Sequence, residues 1–583
     1  MTRYYLGFDQ TLLVRTLNST RQMYLPTYAG VRLIGAQLPE GENNFLERIL
    51  DRRLSANEQW RYKKFSMYKG SSKTPEGHQH EYRNCLAPSP LTALAESLIL
   101  LMLSRIPAFA SSERVYSYRW PSSEKSGVSY QYFVEGYRAR NADVARALQE
   151  PGYVAVVTDI RSFYPSATKE QAQQALHNLF QETAAKDRVN EEKITSFYTQ
   201  LLDSSGSGIP VGPSSGHVLG HLVLQNVDRE LASAYGVRYF RYVDDIVVVC
   251  PVSHEDRVKA HIRHCLNANG FSLNEEKTIT VDANEWTRNL IEEDVPEADS
   301  FRAFARDLTV YLALHPGRAD TLRSMFRESG FSIPIDRLRS LSSYPRYRYF
   351  LTRRKTRQGL THALEIWLSK DLDFVKRAAR IRDAYEASLR VLVNDSVDQG
   401  ANHRRWKTQR IRRLVNSLFY LRAFNDWSKR HDAFDAYPEL VEQRALAEAL
   451  ATGTVNPILP FYGRGPAAFA ELWREQESGQ AKILRLDAIS EAVLDGLVSL
   501  RLTSTVSEES VFNKTSESRL SGLTAETSPS RRSSPNLDFD DELEALRLGI
   551  SAKEIGQMLA TRYSTAEGTA LDALSLLSSE YRS

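Results

Sequence analysis

Two adjacent carboxylates, Asp244 and Asp245, sit inside the segment Tyr239-Phe240-Arg241-Tyr242-Val243-Asp244-Asp245-Ile246-Val247-Val248-Val249-Cys250. Aspartate is ordinary in a turn. Apolar strand-like runs on both sides are less ordinary, because they set the two acids at the rim of a core. Two carboxylates there repel each other and resist ionisation unless a cation joins them. Magnesium is the natural cation: it is hard, prefers oxygen donors, and is commonly held by one or two carboxylates together with substrate phosphates. A third acid, Asp159, ends another apolar run, Val154-Ala155-Val156-Val157-Thr158. If the two runs are neighbouring strands, Asp159 faces Asp244 and the group can hold two ions. One ion then lowers the pKa of an attacking hydroxyl, and the other stabilises the leaving oxygen of an in-line phosphoryl transfer. Alone, Asp159 is only an acid at a strand end; the combination carries the chemistry.

These segments also carry a family resemblance. Asp159-Ile160-Arg161-Ser162-Phe163-Tyr164-Pro165-Ser166 resembles the first palm motif of reverse transcriptases, and Tyr242-Val243-Asp244-Asp245 resembles their YxDD box. Gly208-Ile209-Pro210-Val211-Gly212-Pro213-Ser214-Ser215-Gly216 resembles the loop-and-helix motif between them, where glycines such as Gly212 are expected to let backbone approach template and nucleotide. Gly270-Phe271-Ser272-Leu273-Asn274-Glu275-Glu276-Lys277-Thr278 resembles the motif after the box.

The resemblance spans about a third of the chain. It implies an RNA-directed or template-independent DNA polymerase that uses deoxynucleoside triphosphates and two Mg2+ ions, with Mn2+ as a substitute. Asp159, Asp244 and Asp245 are then its metal ligands and catalytic acids. Lys277 is expected near the triphosphate, protonating the leaving pyrophosphate. Tyr164 is expected under the sugar, excluding a 2′-hydroxyl. Tyr242 and Gly212 are expected in the nucleotide site. The run Arg114-Val115-Tyr116-Ser117-Tyr118-Arg119 reads as an alternating strand; Arg119 first, and Arg114 second, are expected to fork onto phosphate. Val211 stands where retroviral and intron-type enzymes usually carry glutamine. The form Pro210-Val211-Gly212-Pro213-Ser214-Ser215 is more similar to bacterial abortive-infection and defence-associated reverse transcriptases. That implies a role in antiphage defence, with RNA or DNA, a noncoding RNA or a partner protein, and a homo-oligomer as expected company.

The elements that must position these residues follow from periodicity. Residues 153–158 read as a buried strand, 170–180 and 215–231 as helices, 237–243 and 246–250 as a hairpin, 254–268 as a helix and 278–281 as a last strand. That order predicts an α+β layer with a mainly antiparallel sheet, which the resemblance makes the fingers and palm of a right-hand polymerase over residues 1–285. Amphipathic runs such as 371–393 and 440–451 predict an all-α C-terminal domain, the thumb region, over 286–500. Residues 503–536 are rich in Ser, Thr and Glu and are expected to form a flexible linker. A small helical module follows over 537–583, with Ser551 as a candidate cap, read as a docking helix pair in preference to a helix-turn-helix.

Basic and aromatic residues interleave twice in the helical half. Arg346, Arg348, Arg353 and Arg354 lie among Tyr344, Tyr347, Tyr349 and Phe350, and Arg404 and Arg405 precede Trp406-Lys407. Such mixtures suit a nucleic-acid groove, where cations meet phosphates and rings stack on bases. The net charge is only +3, so any such surface must be local. Three cysteines without zinc-type spacing argue against a disulfide framework and favour the cytoplasm. The apolar stretch 91–106 is interrupted by Glu96 and is too short for a membrane span, so it reads as a buried helix. The alternative function is a nucleic-acid-binding scaffold or an oligomeric toxin-like effector on a polymerase fold. Three intact acids argue against it.

Overall fold

The computed structural model describes residues 8–20, 25–36, 38, 44–74, 77–124, 126–290, 300–333, 335, 357–394, 401–422, 432–452, 483–484, 505–506, 539, 542 and 546. Three helices, α1 (Phe8–Thr20), α2 (Leu25–Ala36) and α3 (Phe45–Ser55), lead into a long hairpin of β1 (Tyr62–Thr74) and β2 (Gly77–Pro88). Its alternation is built from Lys, Ser, Tyr and His and not from an apolar face, so hydrophobic periodicity does not reveal it. The apolar helix α4 (Pro90–Ser104) follows and is almost wholly buried, as the sequence predicts.

The central sheet is four-stranded and antiparallel in the order β4-β5-β3-β6, formed by β3 (Tyr153–Asp159), β4 (Tyr239–Tyr242), β5 (Asp245–Pro251) and β6 (Ile279–Val281). Successive side chains of a strand point to opposite faces. Val154, Val156, Ile246 and Val248 enter a large core with α4 and the helices that follow β3. Ala155, Val247, Val249 and Val281 enter a second core with Val144, Leu148 and Trp286. Both faces are covered, which is why residues 153–158 read as a continuous apolar run and not an alternating one. The helix packed on the second face is α5 (Phe133–Ala147), joined there by α12 (Ala283–Leu290). The boundary expected at 285 lies inside α12, whose Trp286 packs in this second core.

Helices α6 (Phe163–Ser166), α7 (Lys169–Glu182), α8 (Glu191–Ser205) and α11 (Glu255–Ala268) lie close to the expected positions where one was drawn. The single helix expected over 215–231 is two, α9 (Gly216–Val223) and α10 (Gln225–Tyr235), broken at the buried Leu224. The expected strand over 114–119 is not a strand. Val115 makes one bridge to Arg241, and Tyr118 takes a left-handed φ of 51°. The backbone turns there instead of extending.

After α12, helices Phe301–Leu314, Ala319–Glu328, Arg357–Leu368, Asp371–Asn394, Ala401–Leu421 and Val441–Thr452 surround a separate core that includes Phe304, Leu308, Phe374, Tyr385 and Leu418. One departure from the all-α expectation is a two-residue parallel pair. It joins Ile483–Leu484 to Thr505–Val506, the latter within the expected linker; both dipeptides are strand-compatible. Residues 344–356 and Ser551 lie outside the described residues. The three cysteines are buried, and no disulfide joins them. Among the described residues no helix is long and apolar enough to cross a membrane.

Two carboxylates tie distant chain to α4. Near the C-terminus, Glu542 accepts from the Leu91 N–H (2.7 Å), the Ser89 hydroxyl (2.7 Å) and Arg61 (3.0 Å), so it satisfies orphan donors at the α4 N-terminus. Phe539 is buried beside it. Within α4, Glu96 accepts from the Ser215 N–H (2.7 Å) and hydroxyl (2.5 Å), which pins the loop ahead of α9. Burial pushes Glu96 up from 4.5 to about 7, against the pull of the Ser215 hydrogen bonds. An acid with a raised folded pKa stabilises fully below its unfolded value, and that stability is lost as pH rises through the folded value. Urea unfolding at a series of pH values is therefore expected to show roughly 3 kcal/mol lost between about pH 4.5 and 7. Glu96→Gln keeps an acceptor for Ser215 and is expected to flatten that slope.

Candidate active site

The site forms where β3 and the β4–β5 turn end together. Asp159 pairs in register with Asp245, and Asp244 occupies the turn. One carboxylate oxygen from each of Asp159, Asp244 and Asp245 lies within 4.8 Å of the others, and all three residues are half-buried or nearly buried. Burial, then the charges of Asp245 and Asp159, push Asp244 up to about 7. Three converging oxygen donors that resist shared ionisation fit a hard divalent cation, which would reverse that resistance.

Backbone bonds lock the two strand ends. The Ile160 N–H donates to Asp244 O (3.2 Å) and the Asn274 N–H to Asp159 O (2.8 Å). Lys277 Nζ lies 2.7 Å from Asp159 Oδ2, and Asn274 Nδ2 reaches the same oxygen at 3.2 Å. Lys277 thus lies at the site, and Asn274, from the same quoted motif, joins it.

The turn itself is strained. Val243, a β-branched residue, takes a left-handed φ of 56°, a conformation that costs on the order of 1–3 kcal/mol. Both its backbone polar groups are clamped: its N–H donates to Ser117 Oγ (2.9 Å), and its carbonyl accepts from Arg241 Nη1 (2.7 Å). Arg241 is 1 % exposed and its charge is met by Asp228, which accepts from Nε and Nη2 at 2.6 Å each and from the Tyr239 hydroxyl at 2.6 Å. Burial works against the Arg241 charge, but Asp228 more than offsets it and leaves the pKa above its usual value. Arg241 Nη2 also donates to His221 Nδ1 (3.1 Å), so the His221 proton sits on Nε2, which donates to Ser117 O (3.0 Å). Burial and Arg241 push His221 down to about 4, and the ring is neutral near pH 7. The α9–α10 break brings His221 and Asp228 to the same guanidinium. Sequence offered one signal for this clamp: an arginine inside an otherwise apolar strand must find a buried partner.

Other expected residues fall in varied places. The Tyr164 hydroxyl shares a 2.8 Å hydrogen bond with His217 Nδ1, and His217 stacks on Tyr118 at 3.7 Å. Burial, then His221, pushes His217 down to about 3. Gly212 is needed for a reason other than nucleotide approach. Its φ is 121° and an added Cβ would lie 2.3 Å from Leu86 O, because the Leu86 N–H donates to Val211 O in this loop. Tyr242 turns its hydroxyl to Phe133 O (3.1 Å) and its ring to Tyr137, so it is packed under α5. The guanidinium of Arg119 is taken up by Val115 O (2.6 Å) and Glu113 O (2.8 Å) and lies 4.5 Å over the Tyr116 ring. Arg114, ranked second from sequence, is half-buried and makes no side-chain hydrogen bond or ion pair among the described residues. Arg404 is ion-paired with Glu439 (2.7 Å) and lies over Tyr437, a structural bridge between helices. Arg405 lies on the same helix, outside the described side chains. Arg346, Arg348, Arg353 and Arg354 are outside the described residues.

The antiparallel sheet, the strained acidic turn and the third acid on the neighbouring strand together form one acidic cluster. Residues 152–290 match the family described as Reverse transcriptase (RNA-dependent DNA polymerase). The chain carries a reverse-transcriptase domain and is a nucleotidyltransferase of the RNA-directed DNA polymerase type. Among solved structures it is similar to telomerase from Candida albicans in complex with a TWJ fragment of telomeric RNA, at 11% identity over 67% of this chain and 69% of that one. The TM-score is 0.26, too low to carry structural detail across. No curated protein matches the chain.

Removing one side of the clamp leaves a buried charge. Asp228→Asn is expected to cost about 3–5 kcal/mol in denaturant unfolding. Asp228→Leu combined with Arg241→Met is expected to recover most of that stability while nucleotide incorporation stays low, because the Val243 carbonyl has lost its donor.

Proposed function

We propose that this chain synthesises DNA by two-metal phosphoryl transfer from deoxynucleoside triphosphates, with Mg2+ as the resident ion and Mn2+ as a substitute. The observation that carries it is the convergence of Asp159, Asp244 and Asp245 within 4.8 Å at the end of two paired strands. When bound, the ions activate a terminal hydroxyl and stabilise the departing pyrophosphate. The protein's own residues do the rest. Asp159 and Asp244 act as the bridging acids and Asp245 as the supporting one. Lys277, held 2.7 Å from Asp159, stands ready to exchange that carboxylate for a phosphate and to donate its proton to the leaving group. Tyr164, fixed through its hydroxyl by His217, sets the floor of the sugar site and selects the 2′-deoxy form. Arg114 is the better placed arginine for the triphosphate, since Arg119 is occupied by backbone carbonyls.

The narrower reading is a role in antiphage defence. It rests on the similarity of the Pro210–Ser215 loop to defence-associated reverse transcriptases, with synthesis that is RNA-directed or template-independent. In this reading the cytoplasm is the setting, and the helical half contacts RNA, DNA or a partner protein and supports a homo-oligomer.

Purified full-length chain with Mg2+ and labelled deoxynucleotides, with and without RNA template, tests the central claim. Asp244→Asn is expected to lower incorporation by about a thousandfold or more, since the metal's charge stabilisation is worth several kcal/mol; undiminished product would remove the assignment. Chelation of the metal is expected to abolish product as well. Tyr164→Ala is expected to weaken discrimination against ribonucleotides by about ten- to a hundredfold, while Tyr164→Phe keeps it; the measurement is the ratio of kcat/KM for matched deoxy- and ribonucleotides.

A further inference from the structure

A second group of rings adjoins the acids and has no part in the chemistry above. On α5 and the residue before it, Tyr132, Phe133 and Tyr137 are 38 %, 41 % and 42 % exposed. Large apolar side chains usually bury, and these three fall within six positions. The Tyr137 ring and the backbone at Phe133 are held in place, and the Phe133 ring lies against Tyr132 at 5.0 Å. The Tyr137 ring meets Tyr242 edge to face at 5.6 Å, and the Tyr242 hydroxyl is bonded to Phe133 O. Gly136 presses against Tyr116 O so closely that a Cβ would sit 2.1 Å away. The Arg140 guanidinium lies 4.7 Å over Tyr137 and 5.6 Å over Tyr242. Arg140 is 4 % exposed, its Nη1 has no hydrogen-bond partner, and that nitrogen lies 3.9 Å from Asp245 Oδ2. The rings therefore run without a break into the catalytic acids.

We propose that Tyr132, Phe133 and Tyr137 form a stacking platform for the bases at the 3′ end of the polynucleotide strand being extended. The proposal rests on the polymerase reading above. The sugar-site rings, Tyr118, Tyr164 and His217, are stacked or bonded to one another and serve the incoming nucleotide. The other reactant, a strand end bearing the attacking hydroxyl, needs a surface beside Asp245, and this one is aromatic, exposed and anchored through Tyr137. Charge does little here. Glu135 and Arg138 stand near one another on the helix, and Arg140 faces Asp245. Stacking on the ring faces, which any base can do, is left to supply the attraction, so the platform is tolerant of sequence.

The test uses full-length chain carrying Asp244→Asn, so that nothing turns over, and fluorescence anisotropy with a short labelled single-stranded oligodeoxynucleotide. A second probe has the same backbone without bases at its 3′ end. Phe133→Leu with Tyr137→Leu is expected to weaken binding of the intact probe by about tenfold or more. Removing the terminal bases is expected to weaken the parent chain by a similar factor, and the two losses are expected not to add. Phe133→Tyr and Tyr137→Phe, which keep the rings, are expected to restore binding. Additive losses, or leucine variants that bind like the parent, overturn the proposal, as does label that remains on the protein after nuclease treatment in the synthesis assay, because the acceptor is then not a strand end. Non-additive losses in a chain that makes no product with Mg2+ would uphold the platform and sink the polymerase reading; active synthesis with no coupling would do the reverse.

Discussion

The site depends on a buried ion pair. Arg241 and Asp228 hold each other in the core, and the spare donors of the guanidinium hold the Val243 carbonyl and the His221 ring. Without that hold, a β-branched residue would leave the left-handed region, and the acids after it would leave Asp159. A buried ion pair is a poor source of stability compared with apolar packing. Here it supplies geometry: it fixes a strained turn at one height above the sheet, and strain is sustained where surrounding contacts over-determine it.

The same turn concentrates negative charge. Asp244 is pushed up to about 7 because burial and two neighbouring acids oppose its ionisation. Lys277 and Asn274 share the Asp159 carboxylate, and Arg140 approaches Asp245 from the other side. The acids are thus unequal. Asp159 is the most buried of the three, Asp244 meets the opposition of burial and two acids and has the most to gain from a cation, and the Asp245 side chain is 43 % exposed and already faces an arginine.

Support comes from both faces of the four-stranded sheet. On one face, α4 fixes the loop before α9 through Glu96 and Ser215, and Glu542 from the far end of the chain satisfies the start of the same helix. On the other, α5 and α12 cover the strands and carry the aromatic rim beside Asp245. A chain segment some 450 positions away along the sequence therefore braces the helix that holds the loop beside the candidate site.

Local chemistry was enough for the sequence to determine the strand ending in Asp159, the strand that follows Asp245, the acidic turn, the buried helix expected over 91–106 and the amphipathic helices of the second half. Apolar runs and turn residues carry their own instructions over a few positions. Asp228, His221, His217 and Arg140 could not be read that way, because each matters through a partner distant in sequence and sits on a helix where it looks like any polar residue. Gly212 was legible as necessary, but not why: only the folded chain shows Leu86 against it. Arg119 and Arg404 looked like phosphate ligands, and only tertiary structure shows them spent on carbonyls and on Glu439. Sequence determined which residues can do the chemistry; the tertiary structure decided which remain available to do it, because availability is a property of the neighbours a side chain meets.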